Sequence, residues 1–393
     1  MPVPVETFFL APGAGGTLQQ QIQQLVADGI LRGRLRPGEK LPSSRKLAAH
    51  LGVSRITVTL AYTELLAGDY LTSRGRSGYF VSDNAPRQPD FGLPLPARRD
   101  TVDWDGLIGR RFSGGPILAK PDDWRSYPYS FIYGQADASL FDHQNWRLCA
   151  LRALGKKDFE ALTADYYTRD DPLLIEYIVR SILPRRGIIA RPEEVLLTLG
   201  AQNALWLTAQ VLLTPDRLAI QENPSYPGLR VTLEQLHCKT AFVDVDAEGL
   251  PPENIPKGAD VVFTTASHHC PTNATMPLGR RRDLLNRASA ENFVIVEDDY
   301  EFEMSFLKAA SPALKSLDDE GRVIYVLAFS KSLFPGLRLG YLVGSESFVR
   351  EARSLRASVL RHPPGHIQRT TAYFLALGHY DTHLNRLIRN RDV

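Results

Sequence analysis

The sequence has few cysteines, little net charge and no long apolar run, and each shortage excludes a class of protein. Its three cysteines show neither metal-ligand spacing nor a disulfide pattern, so we expect a cytoplasmic protein without a metal site. The formal net charge is +2, so any nucleic-acid surface must be local. No apolar run reaches about 18 residues, which excludes a membrane-spanning helix. The first residues lack the basic start of a signal peptide.

The composition divides the 393 residues into three zones. Residues 17–82 have helical periodicity and a short β ending, which predicts a small, mainly helical domain. Residues 83–125 are rich in proline, glycine, arginine and aspartate, which is typical of a linker. From residue 126 to residue 393, short β-branched runs alternate with helical stretches. This alternation predicts an α/β domain with a mostly parallel sheet.

The first zone has the pattern of a helix-turn-helix. Thr17 can cap a first helix, Ser43 and Ser44 precede a second, and Gly52 ends it. Ser54 then caps a third helix, Arg55–Ala67, which would enter the major groove of DNA. We expect the inward-facing positions of this third helix to include Ile56, Leu60, Tyr62 and Leu65.

The same zone also contains a predicted hairpin and an excess of positive charge. Residues 70–81 predict two short strands whose turn carries Arg74 and Arg76. Residues 17–82 contain nine lysines and arginines against four acidic residues, in a chain that is nearly neutral. A local excess of this kind is what neutralising DNA phosphates requires.

Two segments of this zone, residues 36–48 and 51–58, resemble the winged-helix domain of the GntR regulator family. The alternative, that single arginines here are only solvated charges, remains open for each of them. The resemblance implies DNA contacts at Ser44, Arg45, Ser54, Arg55, Thr57 and the wing arginines Arg74 and Arg76.

A second motif lies in the last zone and predicts a site for pyridoxal phosphate (PLP). Lys331 is framed by small and hydroxyl residues, Arg338 follows seven positions later, and Asp298 precedes it by about thirty. PLP needs a lysine amine for its Schiff base, a carboxylate for its pyridinium nitrogen and a cation for its phosphate. Glu297 and Asp299 are competing choices for the carboxylate, and a surface lysine is the alternative interpretation of Lys331.

Two turns support this interpretation. Gly200, Ala201 and Gln202 follow a strand and open a helix, whose free N–H groups could bind phosphate. Tyr226 follows the next strand, where its ring could stack on a pyridine. Each signal is weak alone, because glycine and tyrosine are common in turns.

Residues 126–380 resemble fold-type I aminotransferases, and the whole chain resembles the MocR family of PLP-dependent regulators. The motifs that carry this likeness are residues 297–300 and 330–335. The resemblance implies an internal aldimine on Lys331, a domain-swapped homodimer, and double-stranded operator DNA as partner. It also implies a cofactor site made of Gly200, Ala201, Gln202, Tyr226, Asp298, Tyr300, Ser330, Lys331 and Arg338.

The chain departs from the family pattern at several positions. Ala328 replaces a hydroxyl residue, and Cys270 and Asn273 replace an aromatic residue and a glycine. Gly228 stands where GABA-sensing members have arginine, which argues against GABA as effector. The family continues into a small domain beyond a helix like residues 379–386, so we expect a C-terminal small domain truncated at Val393.

These patterns predict a DNA-binding regulator of catabolic genes that uses PLP to sense a small amino compound. Residues 53–81 and 166–172 resemble members linked to taurine or ectoine use, which suggests an amine from one of these compounds. Two alternatives remain open at this point: a catalytically active aminotransferase that carries a DNA module, and a truncated DNA binder that senses nothing.

Overall fold

The computed structural model describes residues 3–10, 15–86, 101–113, 121–130, 138–300 and 312–389. The chain divides into two compact units, residues 1–108 and 109–393. No helix in the described ranges is long and apolar enough to cross a membrane. Much of the predicted linker lies outside the described residues, so its boundaries at residues 83 and 125 stay predictions.

The first unit has the predicted helices and hairpin. Thr17 accepts a hydrogen bond from the Gln20 backbone while the Gln20 side chain accepts one from Thr17, which forms a capping box. The Ser54 side chain accepts a bond of 3.1 Å from Thr57 N and starts the third helix where predicted. The bounds are α1 Leu18–Leu31, α2 Ser44–Leu51, α3 Arg55–Ala67, β1 Leu71–Ser73, β2 Tyr79–Val81 and α4 Trp104–Leu107.

The core of the first unit corrects one expectation about α3. Ile56 and Leu60 were predicted to face inward, but their side chains are 71% and 47% exposed. The buried residues of this helix are instead Val58, Ala61, Tyr62 and Leu65. At about 100° per residue, Ile56 and Leu60 each lie about 200° around the helix from Val58, so they point away from the core. Apolar character alone therefore does not identify the buried face of this helix.

The second unit is a layered α/β structure. A π-helical turn, Ile178–Ile182, directly continues α7. The bounds are α5 His143–Ala153, α6 Lys156–Thr163, α7 Pro172–Tyr177, β3 Val195–Thr198, α8 Ala201–Leu212, β4 Leu218–Asn223, α9 Pro227–Leu236, β5 Lys239–Asp244, β6 Val261–Thr264, α10 Leu278–Glu291, β7 Val294–Asp298, β8 Val323–Ala328, β9 Gly340–Val343, α11 Glu346–Leu360, α12 Gly365–Ala376 and α13 His379–Arg389.

Seven strands of the described part form one sheet in the order β3-β9-β8-β7-β6-β4-β5. Only β9 runs antiparallel to its neighbours, so the prediction of a mostly parallel sheet is confirmed. Every residue of β8 is buried because helices cover both faces of the sheet. Tyr325 and Leu327 pack with α7 and α12 on one face, while Val326 packs with α8 and α11 on the other.

The strand directions bring the turns of the predicted site together. The strands β4, β6, β7 and β8 are parallel, and β3 has the same direction because both β3 and β8 are antiparallel to β9. Their carboxyl ends therefore lie along one edge of the sheet, and β9 starts at that edge. In open α/β sheets this edge is the usual place for a ligand.

Candidate functional site

Asp298 closes β7 at this edge and carries a carboxylate oxygen without a hydrogen-bond donor among the described residues. Its Oδ1 is sealed from solvent and accepts no hydrogen bond from any described residue. Burial, together with the charges of Asp299 and Glu222, raises the pKa of Asp298 to about 7, and nearby Lys331 opposes this rise. A buried carboxylate in this state is prepared to receive a positively charged donor.

The two competing carboxylates have other partners. Asp299 Oδ2 accepts hydrogen bonds from Arg186 Nε at 2.6 Å and from the Tyr325 hydroxyl at 2.8 Å, all of them buried. Glu297 accepts the backbone N–H groups of residues 314 and 315. Asp299 Oδ1 also accepts no hydrogen bond from a described residue, but the buried ion pair with Arg186 compensates the charge of its carboxylate. Asp298 is therefore the carboxylate most available to a ligand. Arg186 lies 113 residues from Asp299, and no local pattern in the sequence indicated that pair.

The candidate lysine lies in the turn that follows β8. Lys331 Nζ is 5.6 Å from the centre of the Tyr300 ring, so two predicted cofactor residues are neighbours. Ser330 precedes it and is half-buried. Ser332 is buried and accepts a hydrogen bond of 2.8 Å from the Tyr380 hydroxyl, which ties α13 to the lysine turn. No local pattern pointed to Tyr380, because it lies 48 residues away on an amphipathic helix.

The first turn of α8 lies close to Arg338. Gly200 takes φ 88 and has no side chain to cap the helix. Arg338 takes φ 50, a strained conformation for a residue with a side chain, and donates a hydrogen bond of 2.8 Å to Leu199 O. A Cβ at position 200 would lie 3.4 Å from Arg338 Nη2. The arginine and the N-terminus of α8 thus form one positively charged corner.

Gly340 makes this corner possible. A Cβ at position 340 would lie 2.7 Å from Leu327 O and 2.9 Å from Gly200 Cα. Only glycine therefore lets β9 approach β8 and the start of α8 this closely.

The Gln202 side chain turns away from the start of α8, while Tyr226 lies between β4 and α9 at the carboxyl edge of the sheet. The Gln202 side chain points to α9, where Nε2 donates to Gly228 O at 3.1 Å and to Thr232 Oγ1 at 3.2 Å. Only the backbone of Gln202 remains at the start of α8. Tyr226 is half-buried, and burial with the charge of Asp298 raises its pKa while Arg338 lowers it. The hydroxyl of Tyr226 is therefore close enough to interact electrostatically with both Asp298 and Arg338.

Glu222 and His269 form a buried layer beside Asp298 that sequence reasoning missed. Glu222 accepts hydrogen bonds from the hydroxyls of Thr264 at 2.6 Å and Thr265 at 2.8 Å. His269 Nε2 lies 3.5 Å from the Glu222 carboxylate and 3.0 Å from Pro224 O. The layer braces the turn before Tyr226. The sequence did contain a signal for Glu222, because this acidic residue lies near the end of a buried strand, as Asp298 does.

Asn273 explains one departure from the resembled family. It takes φ 60, in the left-handed region that asparagine tolerates better than most residues. The turn can therefore keep its shape where the family carries glycine.

The first unit presents a cationic surface at the starts of α2 and α3. Arg45, Lys46 and Arg55 are exposed in the first turns of these helices. Ser54 is exposed as the cap of α3, and Thr57 is half-buried with its hydroxyl 2.7 Å from Ser54 Oγ. Ser44, predicted to contact DNA, is buried in this structure.

The wing adds further positive charge. β1 and β2 pair antiparallel with Leu71 opposite Val81, which confirms the predicted hairpin. Arg74 lies 4.7 Å and Lys40 5.9 Å from the centre of the Phe80 ring. The backbone of Arg76 lies in the turn between the strands, and its side chain is outside the described part.

Each of the two units matches a different protein family. Residues 18–81 match bacterial regulatory proteins of the gntR family. Residues 149–392 match aminotransferase class I and II. The fold agrees with the kynurenine aminotransferase of Pyrococcus horikoshii, solved in complex with PMP, at 26% identity and a TM-score of 0.61. That match covers 65% of this chain and 65% of that enzyme, just under two thirds.

Two curated relatives match nearly the whole chain. The HTH-type transcriptional regulator TauR of Rhodobacter capsulatus is 60% identical over 387 residues, which cover 98% of this chain and 80% of TauR. The probable rhizopine catabolism regulatory protein MocR of Rhizobium meliloti is 30% identical and matches 95% of this chain and 74% of its own length. Since the chain carries both domain matches and these relatives align with 98% and 95% of it, the chain belongs to the MocR family of transcriptional regulators.

Proposed function

We propose that this regulator binds PLP at the carboxyl edge of its sheet and uses it to sense an amino compound. One observation carries the proposal: Asp298 keeps a buried oxygen without a hydrogen-bond donor in the described part of the chain, beside Lys331. PLP brings a protonated pyridine nitrogen that pairs with a carboxylate and an aldehyde that reacts with a lysine amine. The residues present fit these demands.

Each predicted residue then has a task that its position supports. Lys331 holds the cofactor covalently through Nζ, and Asp298 keeps the ring nitrogen protonated. Tyr226 would pack against the ring, and Tyr300, whose ring centre lies 5.6 Å from Lys331 Nζ, would donate a hydrogen bond to the phenolic oxygen. The phosphate binds at the positive corner of Arg338 and the first N–H groups of α8. When bound, PLP supplies an electron-withdrawing ring and a carbon that captures primary amines.

The effector amine would act by displacing Lys331 from the cofactor. Such a displacement would change the contacts of Lys331 in its turn, and this turn is joined to α13 through Ser332 and Tyr380. An amine that binds two arrangements of the turn unequally shifts the balance between them, and with it the affinity for DNA. We assign the chain to sensing rather than to transamination because its full-length relatives are named as regulators. The likeness to aminotransferases favours residual transamination as the second candidate.

The effector we propose is taurine or an amine derived from ectoine. TauR is the relative with 60% identity, and its name supports the first choice. Gly228 disfavours GABA, because GABA-sensing members of the resembled family carry an arginine at this position. A Cβ here would clash with Gln202 Oε1 and lie 2.6 Å from the Tyr226 ring. The arginine that GABA-sensing relatives carry here would displace both side chains.

We further propose that a domain-swapped homodimer binds double-stranded operator DNA in the cytoplasm. The wing and the first turns of α2 and α3 supply the cations for phosphates and bases. Two such units in one dimer would contact two half-sites of an operator.

The absorption spectrum of the full chain with added PLP tests this function. We expect the visible band of lysine-bound PLP in the wild type and in Arg55→Ala, and no such band in Lys331→Ala. Titration with taurine, diaminobutyrate derivatives and GABA should shift the band with one amine and release no carbonyl product. Continuous carbonyl product would identify an enzyme instead, and a wild type without the band would refute PLP binding.

A further inference from the structure

An isoleucine in the first turn of α3 is exposed in a place where DNA recognition residues lie. Ile56 is the second residue of this helix and 71% of it is accessible to solvent. Single exposed apolar residues are common on proteins. This one lies directly between Arg55 and Thr57, within the cationic surface described above.

The hydroxyl groups near Ile56 are occupied by the helix itself. Thr57 and Ser54 bond to each other at 2.7 Å. Thr59 Oγ1 donates to Arg55 O at 2.9 Å, and Thr63 Oγ1 donates to Thr59 O at 3.0 Å. The outward face of α3 therefore offers few free hydrogen-bond donors beyond Arg55, and Ile56 gives it an apolar character.

The major groove of DNA offers one apolar group to such a face, the C5-methyl group of thymine. We propose that Ile56 is a specificity-determining residue that packs against thymine methyl groups of the operator. The proposal rests on the proposed DNA binding by α3 and names the base that this helix prefers. Arg55 supplies the charge that holds the helix in the groove. Ile56 distinguishes thymine from the other bases through contact with its methyl group, without a hydrogen bond.

Leu60 provides a matched control on the same helix. It is also apolar and 47% exposed, and it lies one turn further from the helix N-terminus. Recognition helices contact bases mainly with their N-terminal residues. Leu60→Ala therefore removes a similar exposed side chain without removing the proposed base contact.

Uracil substitution in the operator tests the proposal directly. The full chain would first select its site from a randomised DNA duplex pool. Each thymine of that site would then be replaced by uracil, which lacks only the methyl group, and affinity measured by fluorescence anisotropy. We expect one or two replacements to weaken wild-type binding by about fourfold, the factor for one buried methyl-sized group. Ile56→Ala should be insensitive to the same replacements, while Leu60→Ala should keep the wild-type response.

The outcomes separate this proposal from the proposed function. If no duplex is selected, DNA binding itself is refuted and the role of Ile56 with it. If the wild type binds but Ile56→Ala keeps every uracil effect, or no uracil has an effect, Ile56 does not recognise thymine. A change in oligomeric state of Ile56→Ala without loss of thymine preference would make it a protein contact and overturn the proposal. Thermal unfolding checks that this surface substitution leaves the fold intact.

Discussion

At the scale of single residues, Asp298 has a property that can be measured without any ligand. Its pKa is raised to about 7, whereas an unfolded chain ionises aspartate near its ordinary value of about 3.9. Between these values the folded chain binds a proton that the unfolded chain has released. The stability from this proton is complete below about pH 4 and is lost as the pH rises through about 7.

Asp298→Asn should remove this pH dependence, because the amide stays neutral throughout. The variant should gain stability relative to the wild type from about pH 5 to about pH 7, at about 1.4 kcal/mol per pH unit. Thermal unfolding of both chains across this range measures the difference. Added PLP should stabilise the wild type more than the variant, because only a carboxylate pairs with the protonated ring. A stability difference that does not change with pH would contradict the assignment.

The neighbouring residues show why the sequence could not choose between the three carboxylates. Asp298 and Asp299 follow each other and look equivalent in the motif. Only the fold brings Arg186 and Tyr325 to Asp299, from 113 and 26 residues away. The same limit applies to Gln202, which turns to Gly228 and Thr232 on α9.

At the scale of elements, the site depends on the close contact of β8, β9 and the start of α8. Gly340→Ala should force these elements apart, because its Cβ would lie under 3.0 Å from backbone atoms of Leu327 and Gly200. We expect a loss of about 1–3 kcal/mol in stability and weaker PLP binding, since the Arg338 corner moves with Gly200. Denaturant unfolding and a PLP titration measure the two effects.

Gly279→Ala is the matched control for this substitution. Gly279 lies in the first turn of α10 with open space around its Cβ position. Alanine there should be neutral or stabilise the chain by up to about 1 kcal/mol. If both variants unfolded alike, the close packing at Gly340 would not be what positions the corner.

The elements that the sequence predicted best are those with local signals. The capping residues Thr17 and Ser54 fixed the starts of α1 and α3, and the bounds of α3 agree with the prediction. The β-branched runs placed the strands, because buried parallel strands are apolar along their whole length. Local patterns did not predict that Ile56 and Leu60 point away from the core. They also did not predict the hydrogen bond between Ser332 and Tyr380, which are far apart in the sequence.

At the scale of the whole molecule, two units match different families, and we propose that the first binds DNA and the second senses the amine. Arg55 belongs to the first unit and Lys331 to the second. A substitution at Arg55 should therefore remove DNA binding, whereas one at Lys331 should remove the response to the amine. The chain matches regulators along both units, which favours one protein in which the second unit controls the first. That control is a coupling free energy, and it should appear as a change in DNA affinity on adding an amine.

The most direct test of the central claim is the affinity of the PLP-loaded chain for its selected operator, measured with and without taurine and the other candidate amines. The account predicts that one amine changes wild-type affinity by about fivefold or more. Lys331→Ala should bind the operator without responding, and Arg55→Ala should not bind it. An equal response in Lys331→Ala, or a wild type whose spectrum shifts with an amine while its DNA affinity stays constant, would contradict the account.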